Sequence, residues 1–182
     1  MLYKTHLATS IALGAGLATV TSYPFTIWYL GGISFGSLLP DIDEPNSYIG
    51  KRSFGIAKII NQKFGHRGIT HSLLTWLSLT ICLYTVFHGP FTLGVCLGYL
   101  FHITGDYFSK SGVPLFKPIL NQRYKFFITY KTSSSAEAII YIFAILLAVF
   151  IILDNQLITP LISSTADLLV KLIKILLDQI QK

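Results

Sequence analysis

Residues 5–40 read THLATSIALGAGLATVTSYPFTIWYLGGISFGSLLP, 36 positions without an Asp, Glu, Lys or Arg. A bilayer-spanning helix needs about 20 residues, so this run is too long for one span. It is interrupted by Thr21-Ser22-Tyr23-Pro24. Proline is tolerated in the first turn of a helix, where its missing N–H has no partner to lose. Pro24 is therefore expected to open a second helix, and the stretch reads as a helical hairpin over about 6–39. The alternative, a secretory leader in the first 20 residues, fits less well because Pro24 and a second apolar run follow directly.

A second uncharged run of 38 residues, Gly68 to Gly105, repeats the pattern, with His88-Gly89-Pro90 at its middle. It predicts a second hairpin over about 69–106. A fifth apolar run covers Ala138 to Leu153. In the last stretch Leu168, Leu169, Leu172, Ile173, Leu176, Leu177 and Ile180 share one helical face, opposite Asp167, Lys171, Lys174, Asp178 and Gln181. That is an amphipathic helix, lying in the interface or packed on the bundle, or else the end of a sixth span starting near Leu157.

The composition agrees. Of 182 residues 52% are apolar and 12% charged, against about 25% charged in soluble domains. A soluble globule and a disordered chain are both excluded. The expected fold is all-α, an integral membrane helical bundle of two hairpins plus one or two C-terminal helices. It forms one domain over 1–182, with loops at 40–68 and 107–134 and C-terminal helices over 136–181. Cys82 and Cys96 lie in apolar runs and are expected to be buried; they make no disulfide framework and no CxxC site. Gly32 and Gly36 form a small-xxx-small pair that permits close helix contact. Trp28, Tyr29, Trp76 and Tyr99 are expected to pack in the bundle or anchor at interfaces. Residues 53–64 predict a short amphipathic helix, and Ser133-Ser134-Ser135 ahead of Glu137 predicts a helix start.

The net charge of +6 is placed for a membrane rather than for nucleic acid. Lys51, Arg52, Lys58, Lys63 and Arg67 follow the second span; Lys110, Lys117, Arg123, Lys125 and Lys131 follow the fourth; Lys4 precedes the first. The turns at 21–24 and 88–90 carry no Lys or Arg, and the turn after the fifth run has only Asp154. By the positive-inside rule the N-terminus and both long loops are cytoplasmic.

At that same end lie ionisable residues from four different helices: His6, Asp41, Asp43, His66, His71, His102 and Asp106. Ionisable residues at membrane edges are functional candidates. Imidazole and carboxylate are ligands for first-row divalent metals. His102 and Asp106 are four apart and share a helical face. Asp41 and Asp43 flank Ile42 in a segment expected to be extended after Pro40, which would point both carboxylates one way. The set exceeds the needs of one tetrahedral ion, so one or two divalent ions are expected, zinc first, with manganese or iron as alternatives. Asp43 is expected as ligand or general base, and Arg67 as a phosphate clamp. Thr5 and Thr70, each preceding a His, are expected as helix caps rather than donors to a ligand. His88, at the opposite end, is expected to be interfacial.

The segments Thr5-His6, Gly36 to Asp43, Gly65-His66-Arg67-Gly68-Ile69-Thr70-His71-Ser72 and Gly98 to Asp106 together resemble the YdjM family of bacterial inner-membrane proteins, described as LexA-regulated, membrane-bound metal-dependent hydrolases. The resemblance covers about residues 1–120. It implies the bacterial cytoplasmic membrane and a hydrolase activity. The order His, Asp, His, HxxxD is also similar to zinc-dependent phospholipase C, through His6, Asp41, His66 or His71, and His102 with Asp106. That family's further His and HxxxE are missing here, and His102 is the last His in the chain. The expected function is hydrolysis of a phosphoester, such as a phospholipid or lipid-linked headgroup, at the cytoplasmic face. The rivals are a non-enzymatic metal-binding or transport protein and a structural scaffold. Transport predicts ionisable groups near the bilayer midplane, whereas these sit at one edge. A metalloprotease is disfavoured, since no HExxH is present. Nothing in the sequence points to a protein partner.

Overall fold

Among the described residues, seven α-helices form in the computed structural model: α1 Tyr3–Thr21, α2 Ile27–Gly36, α3 Ile56–Phe64, α4 Leu73–Val86, α5 Pro90–Tyr107, α6 Ser135–Ile152 and α7 Asn155–Ile180. Residues 1–153 and 155–180 are described; Asp154, Gln181 and Lys182 lie outside them, as do the side chains of Asn155, Gln156, Asp178 and Ile180. Single turns of 3-10 helix at Leu39–Asp43, Gly50–Arg52 and Ile69–His71 shape the connections. No strand forms among the described residues; isolated bridges Ser109–Tyr130 and Val113–Tyr124 tie down the 107–134 loop.

α5 is the axis, with α2, α1 and α4 around it, and α6 packs on the outer side of α1. The closest packing joins helices far apart in sequence rather than the two arms of each expected hairpin. α2 lies against α5 because both carry glycines four apart. A Cβ on Gly32 would collide with the Phe91 carbonyl, one on Gly36 with that of Val95, and one on Gly98 with that of Ile33. The two backbones therefore touch directly, a geometry that residues without side chains allow. The α1–α6 seam uses alanines instead: Ala8 and Ala12 against Ala144 and Ala148. The N-terminal part of α7 docks on the far end of α1 and α2, with Leu157 buried among Ala15, Ala18, Phe25, Tyr29 and Ile33. Ser164 there accepts a hydrogen bond from the Ile27 N–H at 2.9 Å.

Several expectations are corrected. Pro24 does not open α2. Thr26 does, its hydroxyl accepting the Tyr29 N–H at 3.2 Å; a hydroxyl cap satisfies a free N–H, which proline cannot do. Pro90 does open α5. α2 has 10 residues and α4 has 14, about 15 and 21 Å long at 1.5 Å per residue, short of the roughly 30 Å hydrocarbon core. Among the described residues one helix, α6, is long and apolar enough to cross a membrane. Cys96 is buried but Cys82 is exposed on α4. Trp28 is exposed too, whereas Tyr29 and Tyr99 are buried. The Trp76 indole donates to the Cys96 carbonyl at 2.8 Å.

The start of α6 forms as the serines suggest. Ser134 caps it, and the buried Glu137 carboxylate accepts the N–H of Ser133 and of Leu2, each at 2.6 Å. One carboxylate thus fastens the beginning of α1 to the beginning of α6 and sets where His6, one turn further on, stands.

Candidate metal centre

Four segments converge at one end of the bundle. α1 brings His6, the turn after α2 brings Asp41 and Asp43, the segment before α4 brings His66, Arg67, Thr70 and His71, and the end of α5 brings His102 and Asp106. The glycine contact between α2 and α5 is what holds the first turn beyond α2 against the end of α5.

Four donor atoms face one point. His71 Nε2 is 3.6 Å from Asp41 Oδ1 and 3.5 Å from Asp106 Oδ2. His102 Nε2 is 3.6 Å from Asp41 Oδ1 and 3.8 Å from Asp106 Oδ2. The two Nε2 atoms are 3.2 Å apart. A tetrahedral ion with donors at about 2.0–2.1 Å needs donors about 3.3–3.4 Å from one another. The two imidazole nitrogens and the Asp106 oxygen, 3.2–3.8 Å apart, come near that spacing and form a group able to share one ion, and Asp41 approaches both imidazoles from the other side at 3.6 Å.

The second ring nitrogens explain why the Nε2 atoms point inward. His102 Nδ1 donates to the Ser37 carbonyl at 2.6 Å, and a carbonyl only accepts. His71 Nδ1 is 3.2 Å from Asp43 Oδ2. With Nδ1 carrying the proton in both neutral rings, both Nε2 lone pairs and two carboxylate oxygens aim at the same space. Unscreened, four lone pairs repel; a cation between them removes the conflict. Asp106 Oδ2 is buried and has no hydrogen-bond partner, as expected of an atom reserved for such a cation. Ligating histidines usually hand their other N–H to a carboxylate or carbonyl, which is the pattern here.

Asp43 is thus a support rather than a ligand of this set. It is buried, accepts the Gly68 N–H at 3.3 Å and the Thr70 hydroxyl, and holds His66 Nδ1 at 3.0 Å as well as His71. Burial alone would raise its carboxyl, but His66, His71 and Thr70 hold it well below the ordinary carboxylate range. Burial acts the same way on Asp41 and is outweighed by His102, His71 and His6. Both are charged at neutral pH.

The expectation that Asp41 and Asp43 lie in an extended segment fails. They sit in a 3-10 turn led by Pro40, whose fixed φ favours a wound backbone. They reach opposite nitrogens of the His71 ring instead of pointing the same way. His66 is not in the donor set; its side chain is 41% exposed at the mouth. His6 is buried, stacks on His102 with ring centroids 3.6 Å apart, and has no hydrogen-bond partner on either nitrogen. His6, Asp41 and His102 form a further group close enough to share an ion, as do Asp41, Asp43 and His71. Arg67 is turned inward, with Nη2 on Asp106 Oδ1 at 2.9 Å and Nη1 on Ser109 Oγ at 2.8 Å. The guanidinium expected to clamp phosphate is engaged with Asp106. Thr70 is not a cap; its hydroxyl supports Asp43. Ser37, Ser109 and Tyr99, whose hydroxyl donates to the Thr70 carbonyl at 2.5 Å, carried no signal in the sequence, because their contacts come from segments at least 29 residues away.

Above the donor set opens a cavity of about 650 Å³. Asp41 lies at its floor, His66 and Arg67 on its wall, and Lys51 and Arg52 at its rim with Glu44. Arg52 is held over the Tyr48 ring at 3.9 Å while donating to the Tyr48 carbonyl at 2.7 Å. His71, His102 and Asp106 are sealed from solvent, so the donor set is accessible on the Asp41 side.

The family model for the YdjM inner membrane protein matches residues 1–175. The chain belongs to the YdjM family. Inner membrane protein YdjM of Escherichia coli (strain K12) is 47% identical over 87 residues, 44% of each chain, and that of Shigella flexneri matches equally. The chain thus spans under half the length of these relatives. YvsG of Bacillus subtilis (strain 168) is 28% identical over 138 residues, 75% of this chain and 85% of its own. No solved structure matches the chain. The Escherichia coli and Shigella flexneri relatives are named inner membrane proteins, and the His and Asp groups of this chain could hold a metal ion.

Proposed function

We propose that this family member is a multi-pass inner-membrane protein that hydrolyses a phosphoester with a divalent metal held at its cytoplasmic face. The observation that carries the reading is the convergence of Asp41, His71, His102 and Asp106, with both imidazoles within 3.8 Å of each carboxylate and oriented by second partners. Zinc suits a mixed imidazole and carboxylate set, and manganese or iron are the alternatives. When bound, such an ion lowers the pKa of a water and stabilises charge on a phosphoryl oxygen.

The chain's own groups supply the rest. Lys51 and Arg52 at the rim attract an anionic substrate. His66 faces the cavity with Nε2 available while Asp43 holds its Nδ1. It is the proton donor to the leaving oxygen, and Asp43 positions it. Arg67 fixes Asp106 in the donor set, which replaces the clamp role expected from the sequence. The substrate is a membrane lipid or a lipid-linked phosphate, a choice supported by the inner-membrane family and by Lys51 and Arg52 lining the cavity. The concentration of basic residues in the 40–68 and 107–134 segments supports the cytoplasmic orientation.

The test is the metal content of the detergent-purified protein beside a His102→Ala/Asp106→Ala variant, followed by a phosphoester screen. One or two tightly held ions, lost in the variant, with turnover abolished by His66→Ala at unchanged metal content, is the expected result. No metal after reloading with zinc and manganese overturns it. A second reading, non-enzymatic metal binding, is favoured by one observation: His71, His102 and Asp106 are sealed from solvent, which leaves little room for a substrate at the ion. It predicts bound metal with no turnover on any phosphoester. The scaffold reading replaces the ion with a proton on His71, and it predicts no stoichiometric metal.

A further inference from the structure

A second cavity of about 650 Å³ lies along the side of the bundle between α1, α5 and α6. Its walls are Leu13 on α1, Phe101 on α5 with Phe108 just past its end, and Ile139 and Ile140 on α6. It ends at Met1 and Gly105, and Met1 also lines the polar cavity above the donor set. A Cβ at Gly105 would meet Met1 Sδ at 3.0 Å and His6 Nδ1 at 3.5 Å. The missing side chain at this position is what brings the apolar groove to within one residue of the buried histidines.

The groove is open sideways. Leu13 and Ile139 on its edges are exposed, and Ile139 continues into the outward face of α6 with Ile142, Phe143 and Leu146. α6 is the helix long and apolar enough to cross a bilayer, so the groove opens toward hydrocarbon and its inner end abuts the polar cavity. A ligand filling both needs a long apolar chain joined to an anionic head, the latter within reach of Lys51 and Arg52.

We propose that the groove between α1, α5 and α6 binds an acyl chain of a membrane phospholipid, which enters laterally from the bilayer and places its phosphate in the cavity above Asp41. The proposal identifies the lipid as substrate of the hydrolase proposed above and rests on that reading for the lipid's fate, but not for its binding. Thr104 lines the groove, is exposed, and its hydroxyl bonds only within α5, to the Leu100 carbonyl at 2.9 Å. A Trp at this position fills the groove without disturbing the core. Leu146 faces the same hydrocarbon but lies outside the groove.

The experiment uses the full chain, stripped of lipid in detergent and then incubated with dioleoyl phosphatidylglycerol. Bound lipid is counted by native mass spectrometry and metal by elemental analysis, with thermal melts as the folding control. The expected result is about one lipid retained per wild-type chain, at least a fivefold loss in Thr104→Trp, and wild-type retention in Leu146→Trp. Ile140→Trp repeats the test should Thr104→Trp melt early. Equal retention in all the variants overturns the proposal, since the lipid is then annular. Loss confined to the groove variants in a protein that holds no metal sustains the groove and sinks the hydrolase reading. Metal held normally with lipid retention insensitive to the groove does the reverse.

Discussion

His71 and His102 face each other through Nε2 at 3.2 Å, and neither ring is free to turn away. Ser37 holds the far nitrogen of one and Asp43 that of the other. The orienting group is then as necessary as the ligand. Asp43→Asn is expected to weaken metal binding about 10–100-fold, because the amide offers His71 a weaker acceptor and can present its own N–H. Competition with a chromogenic chelator measures this, and unchanged affinity would show that Asp43 does not set the His71 tautomer.

If the proposed ion is held between His71, His102, Asp41 and Asp106, its removal would leave their donor atoms facing one another without a counter-charge. Chelation is expected to lower the melting temperature in detergent, and metal at about 1,000 times its Kd to restore about 4 kcal/mol. The His102→Ala/Asp106→Ala variant is expected to show no such metal-dependent shift. A melt indifferent to metal in the wild type would favour the proton-bridged scaffold.

Gly98 and Gly36 set the distance between α2 and α5. Gly98→Val is expected to cost about 1–3 kcal/mol, as overpacking does, and to reduce metal content, since it pushes the turn bearing Asp41 off the end of α5. Gly31→Ala is the control, because a Cβ there meets nothing within 4 Å. Thermal melts and elemental analysis of both proteins check the pair.

Arg67 and Asp106 are a buried ion pair at 2.9 Å. Arg67→Ala removes one partner and is expected to destabilise by about 3–5 kcal/mol. Arg67→Lys is expected to rescue little, because a single ammonium replaces a fork that serves both Asp106 and Ser109. Ser109→Ala tests the lesser bond and is expected to cost about 1 kcal/mol. A normally stable Arg67→Ala protein would return Arg67 to the substrate side of the site.

Much of the centre was visible in the order of residues. An Asp or His in an otherwise uncharged helix end has few structural reasons to be there, and the hairpin threading placed seven such residues at one end. His102 with Asp106 needed no more than helical periodicity. The Ser134 start of α6 was legible for the same reason, since it depends on neighbours within a turn, whereas the Gly32/Gly36 pair showed that a helix could approach closely there but not which one. Pro24 misled because a hydroxyl two residues later caps the helix better. Asp41 and Asp43 misled because Pro40 favours a 3-10 turn as readily as an extended strand, and only the position of His71 shows which nitrogen each carboxylate reaches.

The sequence by itself determined that the chain is helical and apolar, that its basic residues cluster in two connecting segments, and that its His and Asp residues share one end. These follow from local periodicity and from the cost of charge in hydrocarbon. Only the tertiary structure decided that Arg67 is bonded to Asp106 and Ser109, that Asp43 bridges His66 and His71, and that Ser37 and Thr70 belong to the centre. Those roles depend on hydrogen-bond contacts between residues 23–65 positions apart in the chain. The glycine contact of α2 with α5 brings two of those segments together, and no local rule of the chain encodes that approach.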